Sequence, residues 1–333
     1  MHFATVSRAL RGVGEVAPAT RLRVQAAAAR LGYVRDPAFL ALCGRKPGGA
    51  GGVRRQRIAL LFNRAPENGF AGYHHYRAME RSVSARAIEL GYDCEVLFVD
   101  RDEYRGRLLH RYLQSRSIRG LVFAAFEPGR PTVELPWDEY CAVKFDSHRV
   151  LPEFTLVSVD QFHYTRLAFR RMRELGYRRI GLAVARRDEV VLDGPHTAAL
   201  LLEQAGIADE DRVAPFLIES GIGLRAVGRA IGEWVRGERI DAVISNLTQV
   251  WWLVRPYKTD GGRPVASAAL CMVRRVPHVA GIDGNIGLVG THAADLLAGL
   301  LQAGRSGVPL AATRTYIRGT WRDGATAPPV RPR

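Results

Sequence analysis

Apolar residues fall into two kinds of pattern, and the pattern changes near residue 57. Before that point, residues 2–10 and residues 18–31 each carry apolar side chains at the spacing of one helix face. Residues 11–14, which read Arg-Gly-Val-Gly, break the first helix. Pro18 suits the first position of the second helix, where its missing N–H would be unpaired in any case. The pattern predicts two short helices joined by a glycine-containing turn.

From Ile58 onward, short apolar runs alternate with longer amphipathic segments. The runs predict strands at 57–63, 94–100, 120–126, 141–146, 156–160, 180–185, 213–219, 241–246, 268–273 and 313–323. The segments between them predict helices at 73–90, 103–115, 163–175, 196–205 and 225–235, and a long one that ends near residue 301. Alternating strands and helices favour parallel sheets with right-handed crossovers. The fold class is α/β, with two doubly wound parallel-sheet lobes in tandem.

Glycine and proline separate the two patterns. Residues 44–57, beginning Gly-Arg-Lys-Pro-Gly-Gly, cannot continue a helix and are typical of a flexible linker. The predicted organisation is a helical headpiece over 1–43, this linker, a two-lobed core over 58–325 and a disordered tail over 326–333.

Positive charge is concentrated at one end of the chain. The 333 residues carry a net charge of +15. Residues 1–57 hold eleven Lys and Arg against Glu15 and Asp36, a net +9, and the remaining +6 is spread over the other residues. A basic patch confined to one end indicates a polyanionic partner there. An arginine-rich proteome is the alternative, and it explains the +6 more easily than the +9.

The segment ATVSRAL, followed by VAPATRLRVQAAAARLGYVRDPAFLAL, resembles the DNA-binding headpiece of the lactose-repressor family of bacterial transcription regulators. The resemblance covers nearly all of residues 3–42. It implies that residues 2–10 form the recognition helix of a helix-turn-helix and that residues 38–42 form a hinge helix. The residues implicated in DNA contact are Phe3, Ala4, Thr5, Ser7, Arg8, Arg11 and Leu42.

These residues differ in the part of the duplex that they would contact. The resemblance places Arg8 at base edges, where its planar fork suits guanine, and Thr5 and Ser7 at phosphates. It places Leu42 where the family inserts a leucine into the minor groove to kink the duplex. A core or linker leucine is the alternative for Leu42.

One departure from the family concerns the first helix of the headpiece. In the family that helix precedes the recognition helix by about ten residues and packs across it; in this sequence nothing stands before Met1. We therefore expect residues 1–42 to be weakly packed as written. Two explanations are open: a start site assigned too far downstream, or a true truncation that has lost DNA binding. In-frame residues encoded upstream would support the first, and a stop codon there would exclude it.

The core resembles the periplasmic-binding-protein-like core of the same family, through LGYRRIGL at 175–182 and GIDGNIGLVGTHAADLLAGLL at 281–301. In open α/β sheets ligands bind at the carboxyl ends of the strands, so we expect an effector cleft between the lobes. Candidate contacts that follow from this rule are Asn63, Phe70, Asp160, Arg186, Asn246 and Asp283. Each is alternatively a helix cap or a loop residue. Amides, carboxylates and an aromatic ring together favour a carbohydrate.

Three positions depart from the contacts that the family makes with hexoses. Val191 stands where an arginine is expected, Leu247 where an acid is expected, and the strand at 268–273 lacks the acid that many relatives carry at its end. The sequence therefore leaves the effector unnamed.

Several classes of protein find no support in the sequence. The N-terminus has no apolar signal segment, and no membrane span is predicted. The four cysteines are scattered, which indicates reduced thiols in a cytoplasm. No metal-ligand spacing, cofactor motif or nucleophile motif appears, so we expect neither a metal site, nor a cofactor, nor an enzyme.

Taken together, the residues and the resemblance predict a cytoplasmic, sequence-specific transcription regulator. Its expected partners are double-stranded operator DNA, a small-molecule effector that controls operator affinity, and a second copy of itself in a homodimer. The alternative is a cytoplasmic ligand-binding protein with a vestigial headpiece. A steep loss of DNA affinity with salt would distinguish the regulator from this alternative.

Overall fold

The computed structural model describes residues 5–6, 9, 17–30, 55–63, 74–104, 107–124, 126, 133–146, 148–247, 249–272 and 276–330. The chain divides into two units, residues 1–54 and residues 55–333. The boundary falls inside the predicted linker, just before the first strand of the core.

The first unit contains helix α1, Pro18–Arg30, which begins at the predicted proline. Val24 is its buried apolar side chain, whereas Leu22 is exposed. Thr5 and Val6 are also helical, and Ala9 is helical and buried. These residues fall within the two predicted helical segments.

One six-stranded parallel sheet forms the N-lobe of the second unit. Its strands are β1 (Gln56–Phe62), β2 (Tyr92–Phe98), β3 (Gly120–Ala124), β4 (Cys141–Phe145), β5 (Thr155–Val159) and β11 (Arg314–Ile317), in the order β11-β5-β4-β3-β1-β2. The helices α2 (His74–Glu89) and α9 (Ile286–Ala303) pack on one face, and α3 (Arg107–Ser115) packs on the other. β3 and β4 are buried along their whole length, as expected for strands covered on both faces.

A second six-stranded sheet forms the C-lobe. Its strands are β6 (Ile180–Ala185), β7 (Phe216–Ile218), β8 (Ala242–Ser245), β9 (Ala266–Met272), β10 (Ala280–Asp283) and β12 (Thr320–Arg322), in the order β12-β10-β9-β8-β6-β7. β12 alone in this sheet runs antiparallel to its neighbour. The helices are α4 (Gln161–Glu174), α5 (Arg186–Leu192), α6 (Pro195–Gln204), α7 (Leu224–Gly237) and α8 (Val250–Val254). α4 and α6 cover one face, and α7 and α8 cover the other.

The chain crosses between the two lobes three times. The first crossing is at Asp160, between β5 and α4. The second is at residues 284–285, between β10 and α9, and the third is at residues 318–319, between β11 and β12. Each crossing leaves from the carboxyl end of a strand. The apolar core on the α4 and α9 side is continuous through this region, with Tyr164 fully buried in it.

α9 is the one described helix that is long and apolar enough to cross a membrane. Its buried side chains, which include Val289, Ala293 and Leu297, pack in the N-lobe core with those of α2. A Cβ at Gly290 would overlap the side chain of Ser82, so glycine permits the close approach of these two helices. α9 therefore has the surroundings of a core helix.

The structure corrects three sequence-based expectations. Residues 313–323 form two strands in different sheets, because the chain changes lobe at Arg318 and Gly319. Residues 326–330 pack against the C-lobe where a disordered tail was expected: Val330 N–H donates to Leu175 O at 2.7 Å, and Ala327 is buried. The third correction is helix α5, which follows β6 without a loop although no helix was predicted there.

Candidate effector cleft

Strand ends from both lobes meet at the crossing segments, and the side chains there form the candidate cleft. The N-lobe loop after β4 reaches the C-lobe directly: Arg149 Nη2 donates to Asp193 Oδ1 at 2.8 Å, and Arg149 Nε donates to Val191 O at 3.3 Å. Both arginine and aspartate are largely exposed, so this ion pair contributes little to stability. It nevertheless shows that the two lobes approach closely at this edge.

On the N-lobe side, Asp146 is the centre of a hydrogen-bonded cluster. It follows β4, and its carboxylate accepts from His75 Nε2 at 3.2 Å and from the hydroxyl of Ser158. Because Ser158 donates its proton to Asp146, the serine oxygen accepts from His148 Nε2, 2.9 Å away. His75 lies in the first turn of α2 and Ser158 lies in β5, so the cluster joins three elements.

The cluster keeps the carboxyl group of Asp146 ionised. Burial by itself would raise its pKa, but the hydrogen bonds and positive charges of His148 and His75 outweigh burial and hold the pKa well below its usual range. A buried carboxylate fixed in this way is an acceptor for hydroxyl groups of a ligand.

A buried lysine supports the loop that carries His148 and Arg149. The Lys144 side chain, in β4, is 1% exposed, and its ammonium donates to Val150 O at 3.2 Å and to Glu153 Oε2 at 2.9 Å. A buried charge requires such partners. Lys144 thus ties residues 148–153 to the sheet below them.

On the C-lobe side, Asn246 joins β6, β8 and α5. Its side-chain oxygen accepts from Ala185 N at 3.2 Å, and its Nδ2 donates to Asp188 Oδ2 at 2.7 Å. Burial raises the pKa of Asp188, and the charge of Asp146 raises it further, whereas Arg187 and Asn246 oppose the shift. The charge of Asp146 in the N-lobe is thus among those that act on Asp188 in the C-lobe.

Two further groups beside the crossing segments, Cys271 in β9 and Tyr164 in α4, are held protonated. Burial, reinforced by the charges of Asp146 and Asp283, raises the pKa of the Cys271 thiol to about 12. Burial also raises the pKa of Tyr164. The Cys271 thiol is therefore not poised as a thiolate nucleophile.

The three crossing segments are joined by hydrogen bonds that converge on Tyr164. Its hydroxyl lies 2.8 Å from Gly284 O and 3.1 Å from Ile317 O, and Asp160 N donates to Ile317 O at 3.1 Å. Asn285 Nδ2 donates to Arg318 O at 2.9 Å. All three crossings thus belong to one bonded unit, which is where a rotation of one lobe against the other would occur.

Five of the six predicted effector residues are described, and each lies at or directly after the carboxyl end of a strand. Asp160 caps α4 by accepting from His163 N at 2.9 Å, and Asp283 accepts from Arg322 Nε and Nη2 at 2.8 and 2.6 Å. Arg186 is paired with Glu219. Asn63 is buried at the end of β1. A ligand contact by these residues or by Asn246 stays a prediction, and Phe70 lies outside the described residues.

Sequence reasoning missed the Asp146 cluster, Asp188 and Tyr164. Asp146 could have been found, because it ends the predicted strand 141–146 just as Asn63 ends the first one. His75 carries no such signal, since only the fold brings it to Asp146 from 71 residues upstream.

Among the predicted DNA contacts, Thr5 lies within the described residues, in a helical segment. The others lie outside them: Phe3, Ala4, Ser7, Arg8, Arg11 and Leu42. In the described part of the chain, no group of three or more His, Cys, Asp or Glu could hold a metal ion.

The amino-terminal segment matches a family model, and nearly the whole chain matches solved structures. Residues 3–36 match the family model of bacterial regulatory proteins, lacI family. Comparison with curated protein sequences gives no significant match.

The solved structures with similar folds include three complexes with bound ligands. The transcriptional regulator CelR–cellobiose complex is 20% identical with a TM-score of 0.59, over 97% of this chain and 95% of that one. The lac repressor dimer bound to operator and the anti-inducer ONPF is 18% identical with a TM-score of 0.58, over 98% and 96%. A LacI family transcriptional regulator from Enterococcus faecium with bound ribose is 14% identical with a TM-score of 0.55, over 83% and 100%.

At sequence identities of 14% to 20%, the similarity to these three structures establishes a shared fold and nothing further. Two lobes built on parallel sheets are the core that the resemblance to the lactose-repressor family predicts. The amino-terminal segment of the chain thus matches the lacI family of bacterial regulatory proteins, and its core has the fold of solved members of that family.

Proposed function

We propose that this protein is a cytoplasmic, sequence-specific DNA-binding transcription regulator whose operator affinity is controlled by a small molecule bound between the two lobes. The observation that carries the proposal is the combination of a lacI-family headpiece match over residues 3–36 with a two-lobed core that has polar groups at its strand ends. Neither part alone would support regulation, because a headpiece reads DNA and a two-lobed core binds a ligand.

The DNA contacts are proposed from position and charge. Arg8 with Phe3 and Ala4 would contact base edges, and Thr5 and Ser7 would contact phosphates. The net charge of +9 over residues 1–57 supports binding to a polyanion.

The effector is proposed to be a neutral, sugar-like molecule. The cleft offers an ionised acceptor at Asp146 and an amide at Asn246, both already oriented by hydrogen bonds. Fixed acceptors and donors of this kind recognise hydroxyl groups. Complexes of similar structures with cellobiose and ribose support the same class of ligand.

Coupling between ligand and DNA would pass through the three crossings. A ligand that bridges Asp146 and Asn246 favours the closed arrangement of the lobes, and closure changes the spacing of the two headpieces in a dimer. That change would order or melt the hinge helix at residues 38–42. Because the coupling is reciprocal, operator DNA must change effector affinity by the same factor.

The test is selection of operator sequences from random duplex DNA, followed by binding measurements with the selected site. Thermal denaturation with a panel of neutral sugars that includes cellobiose and ribose would identify effectors. A selected pseudo-palindrome whose affinity responds to a stabilising sugar supports the proposal. Sugar binding without any selected DNA would support a ligand-binding protein with a vestigial headpiece.

Replacement of Leu42 by alanine should weaken operator binding at least tenfold, about 1.4 kcal/mol or more, because the apolar wedge that kinks the duplex is lost. Effector-induced thermal stabilisation should be unchanged. Leu310→Ala is the matched control, because Leu310 is a fully exposed leucine of the core unit. Equal operator affinity in the two variants would exclude the wedge.

A further inference from the structure

A large cavity lies at the opposite end of the C-lobe from the cleft. It has a volume of about 1440 Å³ and opens beside the amino ends of β6 and β9, where it is lined by Arg178, Ala266 and Ser267. β9 runs from Ala266 to Met272. Since a strand advances ~3.3 Å per residue, the cavity and the cleft are separated by roughly 20 Å.

Positive charge surrounds the cavity. Arg178, Arg255, Arg263 and His278 line it, and none of its described lining residues is an acid. The guanidinium groups of Arg178 and Arg255 form no ion pair or hydrogen bond with any described residue. Arg178 and Arg255 are both solvent-exposed, so they lie at the rim of the cavity.

Asp241 lies beside the cavity and does not line it. Its Oδ2 accepts from Arg178 N at 2.8 Å. Burial raises its pKa, and the backbone N–H groups of Arg178 and Arg179 and the charge of Arg263 oppose that shift. Asp241 thus offsets part of the charge of Arg263.

Part of the remaining wall is apolar. Trp251, Val265, Pro328 and Val330 contribute to it. The ring of Trp251 contacts His278 edge to face, with centroids 4.7 Å apart.

The carboxy-terminal segment that forms one side of the cavity is fixed to the sheet. Thr326 Oγ1 donates to Ser267 O at 2.8 Å, and Tyr177 donates to Pro328 O at 2.6 Å. The cavity is therefore preformed.

We infer that this cavity is a second ligand site, separate from the effector cleft, which binds a phosphorylated small molecule. Unpaired guanidinium groups at the rim suit a phosphate, because each presents donors in a planar fork. The apolar and aromatic wall suits a non-polar portion of the same molecule, such as a nucleobase. The inference does not depend on the function of the cleft, since no cleft residue takes part.

The inference is tested by calorimetric titration of the full chain with AMP, ATP, inorganic phosphate and adenosine at constant ionic strength. AMP and ATP should bind, inorganic phosphate should bind more weakly because it lacks an apolar part, and adenosine should not bind. The double variant Arg178→Gln/Arg255→Gln should bind AMP at least tenfold more weakly. The matched control is Arg225→Gln/Arg229→Gln, which removes two exposed arginines of α7 in the same lobe.

Three results would overturn the inference: no binding of any phosphate compound, binding of adenosine as tight as that of AMP, or an equal loss of affinity in the cavity and control variants. The last would indicate general attraction of anions to a basic protein. Arg255→Glu provides a second cavity variant, in which reversal of one exposed charge should weaken AMP binding more than Arg255→Gln does. Circular dichroism verifies that each variant is folded.

Discussion

At the scale of single residues, the interior of this protein contains polar groups whose ionisation is set by burial and by a few partners. His196 is fully buried, its Nδ1 lies 2.7 Å from Thr165 Oγ1, and its Nε2 has no partner among the described residues. Burial lowers the pKa of His196 to about 4, although the charge of Glu189 opposes this. The ring is therefore neutral in the folded protein at physiological pH.

The burial of His196 predicts a loss of stability in acid. Between pH about 6.5, its ordinary pKa, and pH about 4, the unfolded chain binds a proton that the folded protein does not. The free energy of unfolding should fall over this range by on the order of 3 kcal/mol because of this group. Urea denaturation of wild type and His196→Gln at pH 7 and pH 4 measures the difference. His292→Gln, at an exposed position of α9, should keep the wild-type pH dependence, and the prediction fails if His196→Gln keeps it too.

The Asp146 carboxylate predicts an effect on ligand affinity. In Asp146→Asn the ionised acceptor is lost, and hydrogen bonds to charged groups are worth about 1.5–3 kcal/mol. Affinity for the sugar identified by thermal denaturation should therefore fall at least tenfold in calorimetry. The control is Asp209→Asn, an exposed aspartate paired with Arg212. Unchanged affinity in Asp146→Asn would remove this residue from the effector site.

At the scale of elements, the crossing segments connect the two lobes through close packing and hydrogen bonds. Gly319 and Gly284 have no space for a side chain, because a Cβ would overlap Asp283 O and Ile282 at the first and Cys271 at the second. Tyr164 fills the space between them and bonds to both neighbouring crossings. The lobes are thus connected by a packed, hydrogen-bonded unit.

Loss of the Tyr164 hydroxyl should destabilise this unit. In Tyr164→Phe the carbonyls of Gly284 and Ile317 lose a buried donor, which costs about 1–3 kcal/mol. The urea midpoint should fall accordingly, with little change in the secondary structure seen by circular dichroism. Tyr316→Phe is the control, because that residue is 43% exposed on β11. Equal midpoints for the two variants would show that the hydroxyl does not hold the crossings together.

At the scale of the whole molecule, most of the net positive charge and the candidate cleft lie in different parts of the chain. The N-terminal unit and linker carry +9 of the net +15, and the candidate cleft belongs to the other unit. This division allows the proposed DNA binding and the proposed ligand binding to be tested with separate variants, as in the Leu42→Ala experiment.

The charge of the amino-terminal unit predicts a steep salt dependence. Each phosphate neutralised by Lys or Arg contributes a slope of about −0.9 to log affinity against log salt. Six such contacts would reduce operator affinity about 10³-fold between 50 and 200 mM salt. Filter binding or fluorescence anisotropy with the selected operator measures the slope. A shallow slope would contradict operator binding through this unit and favour the vestigial headpiece.

The sequence by itself determined the kinds and the order of most elements, whereas helix α5 and the division of residues 313–323 into two strands were missed. Apolar runs such as residues 120–124 and 141–145 are buried on both faces, so their pattern alone identifies strands of a parallel sheet. It also located Asn246 and Asp283 at strand ends, because that placement depends on local order only.

Only the tertiary structure decided which distant residues meet. The division of residues 313–323 between two sheets depends on pairing with β5 and β10, which are more than 30 residues away. The approach of His75 to Asp146, 71 residues away in the chain, and the arginine-lined cavity likewise arise from contacts between elements far apart in the chain. Helices and strands can be predicted because they depend on the hydrophobicity of residues that are neighbours in the sequence. A site that combines residues from distant segments depends on how the whole core packs.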